Sequence, residues 1–212
     1  MELYEPSALR DFSFVLMLTS LTIIGVLKKF YWKHSKLYYS GVFAQRYSNQ
    51  FLREENAFTE RVRLFTFSLM IINVSLLFFK VFSVTEINEA LKIIFLLLGF
   101  FLAKIFLISC IGLLFKNYDV AKLTVFFTML YDKFLGIVLF PIVIVIYFFI
   151  YDMSNYLIGF SFFLFTILIL IKFYCLIKIG SRSFGFPKKY IFLYLCMVEI
   201  SPFILFLKGI FY

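Results

Sequence analysis

Charge is scarce in this chain. Charged residues make up 16% of its 212 positions, against about a quarter in an ordinary soluble domain. So few polar groups cannot cover a sequence that is 63% hydrophobic. A soluble all-α bundle, whose helices would need an amphipathic shell, is thereby excluded. Histidine occurs once, His34, among Tyr31, Trp32 and Lys33. An interfacial residue is expected there rather than a catalytic base. The three cysteines, Cys110, Cys175 and Cys196, lie in apolar runs without Cys-x-x-Cys spacing, so neither a disulfide framework nor a zinc site is indicated. They read as small buried apolar residues. No His-Glu-x-x-His, Gly-x-Ser-x-Gly or phosphate-binding glycine loop occurs. With no reactive constellation in view, the expectation is a protein that is not an enzyme and holds no cofactor and no metal.

What the chain does have is apolar runs near 20 residues, the length a helix needs to cross a hydrocarbon core about 30 Å thick. They predict six spans, at about 12–29, 64–84, 93–115, 134–151, 156–177 and 190–207. The fold class expected is all-α: a polytopic transmembrane helix bundle forming a single integral membrane domain over residues 1–212. The first run follows Glu2, Glu5 and Asp11 and closes on Lys28 and Lys29. That order reverses a signal peptide's, so the segment is expected to remain as a span.

Basic residues set the orientation, because cytoplasmic loops are enriched in them. The first connection carries Lys28, Lys29, Lys33, Lys36, Arg46, Arg53, Arg61 and Arg63; the third Lys116, Lys122 and Lys133; the fifth Lys178, Arg182, Lys188 and Lys189. Against these fifteen, the other side has four: Arg10, Lys80, Lys92 and Lys208. Both termini are therefore expected on the non-cytoplasmic side. The net charge of +9 flanks the apolar runs instead of forming one soluble patch. The bilayer and its anionic head groups are the partners this implies, and nucleic acid is not.

Several boundaries carry their own signals. Ser83-Val-Thr-Glu86 has capping-box spacing, and Glu86 and Glu89 would place acids in a helix's first turn. Pro187 precedes the sixth span at a place where its missing N–H costs little. Leu123–Tyr131 is too short to span before Asp132 and Lys133; it reads as an interfacial helix or as an extension of the fourth span. In the connection 30–63, Phe43, Tyr47, Phe51, Phe58 and Val62 recur near helical spacing, with Arg46, Arg53 and Glu54 on other faces. An amphipathic helix at the cytoplasmic surface is predicted, either a lipid anchor or a docking surface. Arg46, Arg53, Glu54, Glu55 and Arg61 are its candidate contacts with lipid or partner.

Two ionisable residues fall deep inside runs. Lys104 is eleven residues from either end of 93–115, and Glu199 lies nine beyond Tyr190. At 1.5 Å per residue the lysine stands about 16 Å from the helix ends. Such charges face a bundle interior and pair. The prediction is that Lys104 and Glu199 meet. Pro202 frees the carbonyl of Val198 within a turn of Glu199, and Asn73 and Thr166 fall near mid-depth. These residues form the candidate intramembrane polar network. It reads either as a staple that selects helix partners or as a protonation switch on a transport path; for Asn73 and Thr166, bonding to their own helix backbone is the plainer alternative.

Arg53-Glu-Glu-Asn56 only superficially resembles the paired glutamates of intramembrane Glu-type proteases: Thr59 stands where those have arginine, and the further histidines are missing. Asp119 and Asp132 sit at the rim as solvated carboxylates or weak cation ligands. A closer likeness rests on FLREENAFTER (Phe51 to Arg61), YDKFLGIVLFP (Tyr131 to Pro141) and YLCMVEISPF (Tyr194 to Phe203). Together these resemble a family of small polytopic inner-membrane proteins, mainly of Bacteroidota, known only as a domain of unknown function. Tyr194, Leu195, Cys196, Glu199 and Pro202 fit its terminal Tyr-Leu-Cys-x-x-Glu-x-x-Pro motif, whereas Asp132 stands where that family often has Asn. The resemblance implies location and architecture, not activity. The function expected is that of a non-catalytic subunit or scaffold of a membrane complex, alongside other membrane proteins; the alternative is a small carrier using Lys104 and Glu199.

Overall fold

A computed structural model describes residues 7–43, 47, 56–114, 118–148 and 154–183. Its helices, in chain order, are α1 (Ser7–Phe30), α2 (Trp32–Phe43), α3 (Ala57–Val81), α4 (Ile87–Leu114), α5 (Tyr118–Phe148) and α6 (Ser154–Ser183). No strand occurs among the described residues. Among the described residues four segments, Ala8–Phe30, Ala57–Val81, Ile87–Cys110 and Thr124–Phe148, are long and apolar enough to cross a membrane. The predicted span at 156–177 falls within the 30-residue helix α6. The one at 190–207 lies outside the described residues.

The chain divides into two compact units. One comprises Met1–Ile94 with Asp132–Phe163, the other Phe95–Tyr131 with Leu164–Tyr212. The first is organised around α3, where Leu69, Met70, Ile71, Asn73, Val74, Ser75, Leu76 and Leu77 are all buried. A helix buried on every side is a bundle centre. By contrast α1 is two-faced: Leu9, Ser13, Met17, Ser20 and Leu27 are buried, while Phe14, Val15, Leu18 and Leu21 are about half exposed. Its inner stripe carries serines and its outer one large apolar side chains. This inverts a soluble helix and suits lipid, where small residues let backbones approach.

Partners along α3 set the directions of its neighbours. Asn73 and Arg61 of α3 meet Ser20 of α1 and Tyr31 just after it, so the two helices run antiparallel. Arg63 and Leu76 meet Lys133 and Tyr147 of α5, so α3 and that half of α5 run parallel. At Gly136 the backbones come close: an added Cβ would collide with the backbone of Met70.

Helix ends depart from expectation in two places. Ser83 does not cap α4, because residues 84–86 are not helical and the helix starts at Ile87, with Ala90 N–H donating to Glu86 O at 3.1 Å. Ser83 instead takes the left-handed conformation, φ 48°, in the turn that ends α3. Glu89 does stand in the first turn of α4. The capping box is at α3: Asn56 accepts from Thr59 N–H and Thr59 Oγ1 from Asn56 N–H, each at 3.0 Å. It starts the helix at Ala57, ahead of the apolar run at 64. Residues 123–131 are likewise part of one continuous helix, the 31-residue α5, with Pro141 inside it. At 1.5 Å per residue α5 is about 46 Å long, more than a hydrocarbon core requires.

Gly136→Ala is expected to destabilise the protein by about 1–3 kcal/mol through overpacking against Met70. Gly99→Ala, whose new Cβ meets nothing within 4 Å, is the matched control. Thermal denaturation in mild detergent checks the pair, and equal midpoints would contradict the close crossing.

Candidate functional site

Polar side chains buried in the first unit gather at two levels. At the inner level Asn73, fully buried on α3, accepts from Ser20 Oγ of α1 at 2.9 Å and donates through Nδ2 to Gly136 O of α5 at 2.7 Å. One amide thus ties three helices. Its donor reaches that carbonyl because residue 136 has no side chain to hold the backbones apart. Asn73 therefore does not bond to its own backbone, the plainer reading its position allowed. Ser75 does so, donating to Ile71 O at 2.7 Å. Further along α3, Tyr147 OH donates to Leu76 O at 3.0 Å.

The second level lies where α2, the first turns of α3 and Lys133 of α5 come together. Lys133 is only 8% exposed. Its Nζ donates to Arg63 O at 3.1 Å and lies 5.9 Å and 5.7 Å from the ring centroids of Tyr38 and Phe67. The same carbonyl accepts from Thr66 Oγ1 at 3.1 Å. Tyr38 is 1% exposed, with Thr66 in hydrogen-bonding reach and Arg63 and Asp132 in electrostatic range. Burial pushes its phenol above the ordinary tyrosine range; Tyr39 and Asp132 add to that and Arg63 opposes it. Tyr39 is raised by burial alone. On the outer side, His34 stacks on Phe58 and Arg61 Nη1 donates to Tyr31 OH at 3.3 Å.

In the second unit, Lys104 of α4 is buried, 1% exposed, as its depth in the helix predicted. Lys172 of α6, 3% exposed, is a buried lysine that sequence reasoning passed over. It lies within an apolar run as Lys104 does, but only five residues from the end of 156–177, too near it for the depth rule that singled out Lys104. Thr166 occupies an exposed position on α6. Glu199 and Pro202 lie outside the described residues, as do Arg46, Arg53, Glu54 and Glu55. Arg61 is exposed on α3. Asn73 makes its bonds with Ser20, which was not part of the predicted network, and with Gly136. Lys133, taken for a loop residue, is the larger omission: its neighbour Asp132 made the pair look like a span boundary.

Two outcomes follow. Interhelical hydrogen bonds in membrane proteins are worth about 0.6 kcal/mol on average, so a double-mutant cycle of Ser20→Ala and Asn73→Leu should show a coupling of that order. Additive losses would mean that the pair contributes nothing jointly. The second concerns pH. Because the folded protein holds the Tyr38 proton more tightly than the unfolded chain does, its contribution is complete below about pH 10, the ordinary tyrosine pKa. Above that the unfolded chain ionises first and stability falls. Thermal midpoints should therefore be insensitive to this group through neutral pH and decline above about pH 10, less steeply in Tyr38→Phe.

Comparison with known proteins returns one finding. Neither the curated proteins nor the solved structures contain a match. A family model described as "Domain of unknown function (DUF4271)" matches residues 13–210. From Ser13 onward that match takes in the four described helices that are long and apolar enough to cross a membrane, and both polar levels described above. The chain accordingly belongs to the family described as Domain of unknown function (DUF4271).

Proposed function

We propose that the protein is a non-catalytic subunit or scaffold of a membrane complex, placed in a bacterial inner membrane with both termini periplasmic. The observation that carries this reading is the use made of Asn73. An amide lining a transport path would keep a donor or acceptor for cargo, whereas here Oδ1 and Nδ2 both engage other helices of the bundle. Polar groups used in this way fix helix positions and present a constant outer surface to a neighbour. Supporting it, the outer apolar face of α4, with Phe95 70% and Phe106 67% exposed, offers lipid or another span a broad area. The basic residues Lys28, Lys29, Lys33 and Lys36 collect at the junction of α1 and α2, in keeping with a cytoplasmic position for that end. A role in Bacteroidota, and for the terminal Tyr-Leu-Cys-x-x-Glu-x-x-Pro motif, belongs to this proposal as well.

One observation favours a second reading. Lys104 is buried near the middle of α4, where a charge costs about 2.5–3.5 kcal/mol on insertion scales. Paired with Glu199, it would serve a small carrier as a proton- or substrate-linked switch. The two readings differ in what survives substitution.

The test is purification of the full chain in mild detergent and identification of the membrane proteins that accompany it. A stoichiometric partner, released by substitutions on the outer face of α4 but retained in Glu199→Gln, is the expected result. A chain that purifies alone, with a Glu199→Gln variant that folds normally but loses a proton-coupled flux in vesicles, would replace the scaffold with the carrier.

A further inference from the structure

The helix α2 follows α1 after a bend at Tyr31 and is held along the bundle at both ends. Tyr31 packs against Phe58 and Phe65 of α3, and Phe43 meets Phe134 of α5 edge-on, with ring centroids 5.6 Å apart. At 12 residues, α2 is about 18 Å long, too short to cross a bilayer. It has two faces. Ser35, Tyr38, Gly41 and Val42 are buried. On the opposite side Trp32, Lys36 and Phe43, spaced i, i+4 and i+11, fall on one line and are exposed, with Lys33 beside them. The end of α1 extends this surface: Lys28, Lys29 and Phe30 are all exposed, and Lys29 Nζ lies 5.3 Å from the Phe30 ring centroid. Arg61 of α3 adds a further exposed cation, and Glu60 is the exposed acid among the described residues of that end of the first unit. The sequence from 44 to 55, with Arg46 and Arg53 against Glu54 and Glu55, leaves the balance unchanged. The field outside α2 is therefore positive.

We propose that the outward face of α2 binds anionic lipid head groups of the leaflet at that end of the bundle. Lysines and aromatic rings on one stripe suit a bilayer boundary for separate reasons. The ammonium groups of Lys33 and Lys36 meet head-group phosphates while their stems lie along apolar surface. Trp32 and Phe43 enter the layer between head groups and acyl chains, where an aromatic ring is favoured. An acidic protein would also answer the lysines, but position favours lipid. The stripe begins where a span ends, and its far end rests on α5, which is itself apolar enough to cross a membrane. A bilayer around α1 and α5 thus meets this face before any soluble partner does. Because the other face of α2 is packed on the bundle, lipid held outside it fixes the depth of the first unit in the membrane. This assignment stands apart from the scaffold and carrier readings, neither of which uses α2.

Trp32 is the chain's single tryptophan, so tryptophan fluorescence reports on this face alone. The full-length protein is reconstituted into vesicles of phosphatidylcholine and phosphatidylglycerol, with bromine near the head-group end of the acyl chains of one lipid or the other. The expected result is stronger quenching of Trp32 by brominated phosphatidylglycerol than by brominated phosphatidylcholine at equal mole fraction, with little quenching by acrylamide from the water. Lys33→Gln combined with Lys36→Gln should reduce that preference at least about fivefold, the factor contributed by one basic side chain near an anionic surface. Lys92→Gln, an exposed position at the start of α4, should leave it unchanged. Equal quenching by the two brominated lipids, or a preference that survives the double substitution in protein with normal helical circular dichroism, overturns the proposal. So does a Trp32 that acrylamide quenches and neither lipid does, which would give the face to a water-soluble partner.

Discussion

A side-chain amide in hydrocarbon can find its hydrogen bonds only on another part of the protein, and the first unit of this molecule is arranged around one that does. Asn73 is fully buried, and no water layer competes for its oxygen or its nitrogen. Bonding to Ser20 on one side and to the Gly136 carbonyl on the other fixes both the rotation and the height of α1 and α5 against α3. Apolar contacts alone would be weaker guides. Leucine against leucine and leucine against lipid are nearly equal in energy, so a bundle in a membrane needs close packing and a few polar bonds to choose its register. The near-contact at Gly136 and the amide that reaches the same residue are therefore one device. The missing side chain permits the approach, and the amide makes use of it.

How much of this could be read from the residues follows from what hydropathy records. The helices α1, α3 and α4 show as apolar runs because a span must exceed a fixed length, and that rule needs no partner. Their inward faces are harder to see. Ser20 and Ser13 are nearly neutral on any transfer scale, and only their spacing with Leu9, Met17 and Leu27 on one stripe reveals what they pack against. The beginning of α3 was obscured for a different reason. Arg61 and Arg63 look like loop residues, but Asn56 and Thr59 close a capping box ahead of them and the helix simply carries its charges at its first turns. Ser83 shows the converse error. Its spacing to Glu86 matched a capping box, yet a box requires three helical residues after the serine, and here residues 84–86 are not helical.

Lysine gave the mixed result that its chemistry invites. Lys104 was identifiable because nothing charged stands near it in the sequence, so its depth was plain. Lys133 lies beside Asp132, and an adjacent acid and base usually mark the end of a span. Here the end is not reached: α5 continues unbroken from Tyr118 through both residues to Phe148. The ammonium is accommodated by a backbone carbonyl and two aromatic faces instead of by water. Counting such a lysine toward the basic bias of a loop overstates that loop's exposure, though it leaves the direction of the bias intact.

The two polar levels differ in a way that bears on what the molecule does. At Asn73 the amide oxygen and nitrogen both engage other helices, and the effect is rigidity. At Lys133 the ammonium meets a backbone carbonyl and two aromatic rings, and the neighbouring Arg63 and Asp132 are only half-buried. A bundle whose register is set at one level can admit charge at another without losing its fold. Where a bilayer carries anionic head groups, basic side chains at the end of a span are drawn toward them, so the two levels act differently: one sets the register of the helices, the other the depth of the bundle.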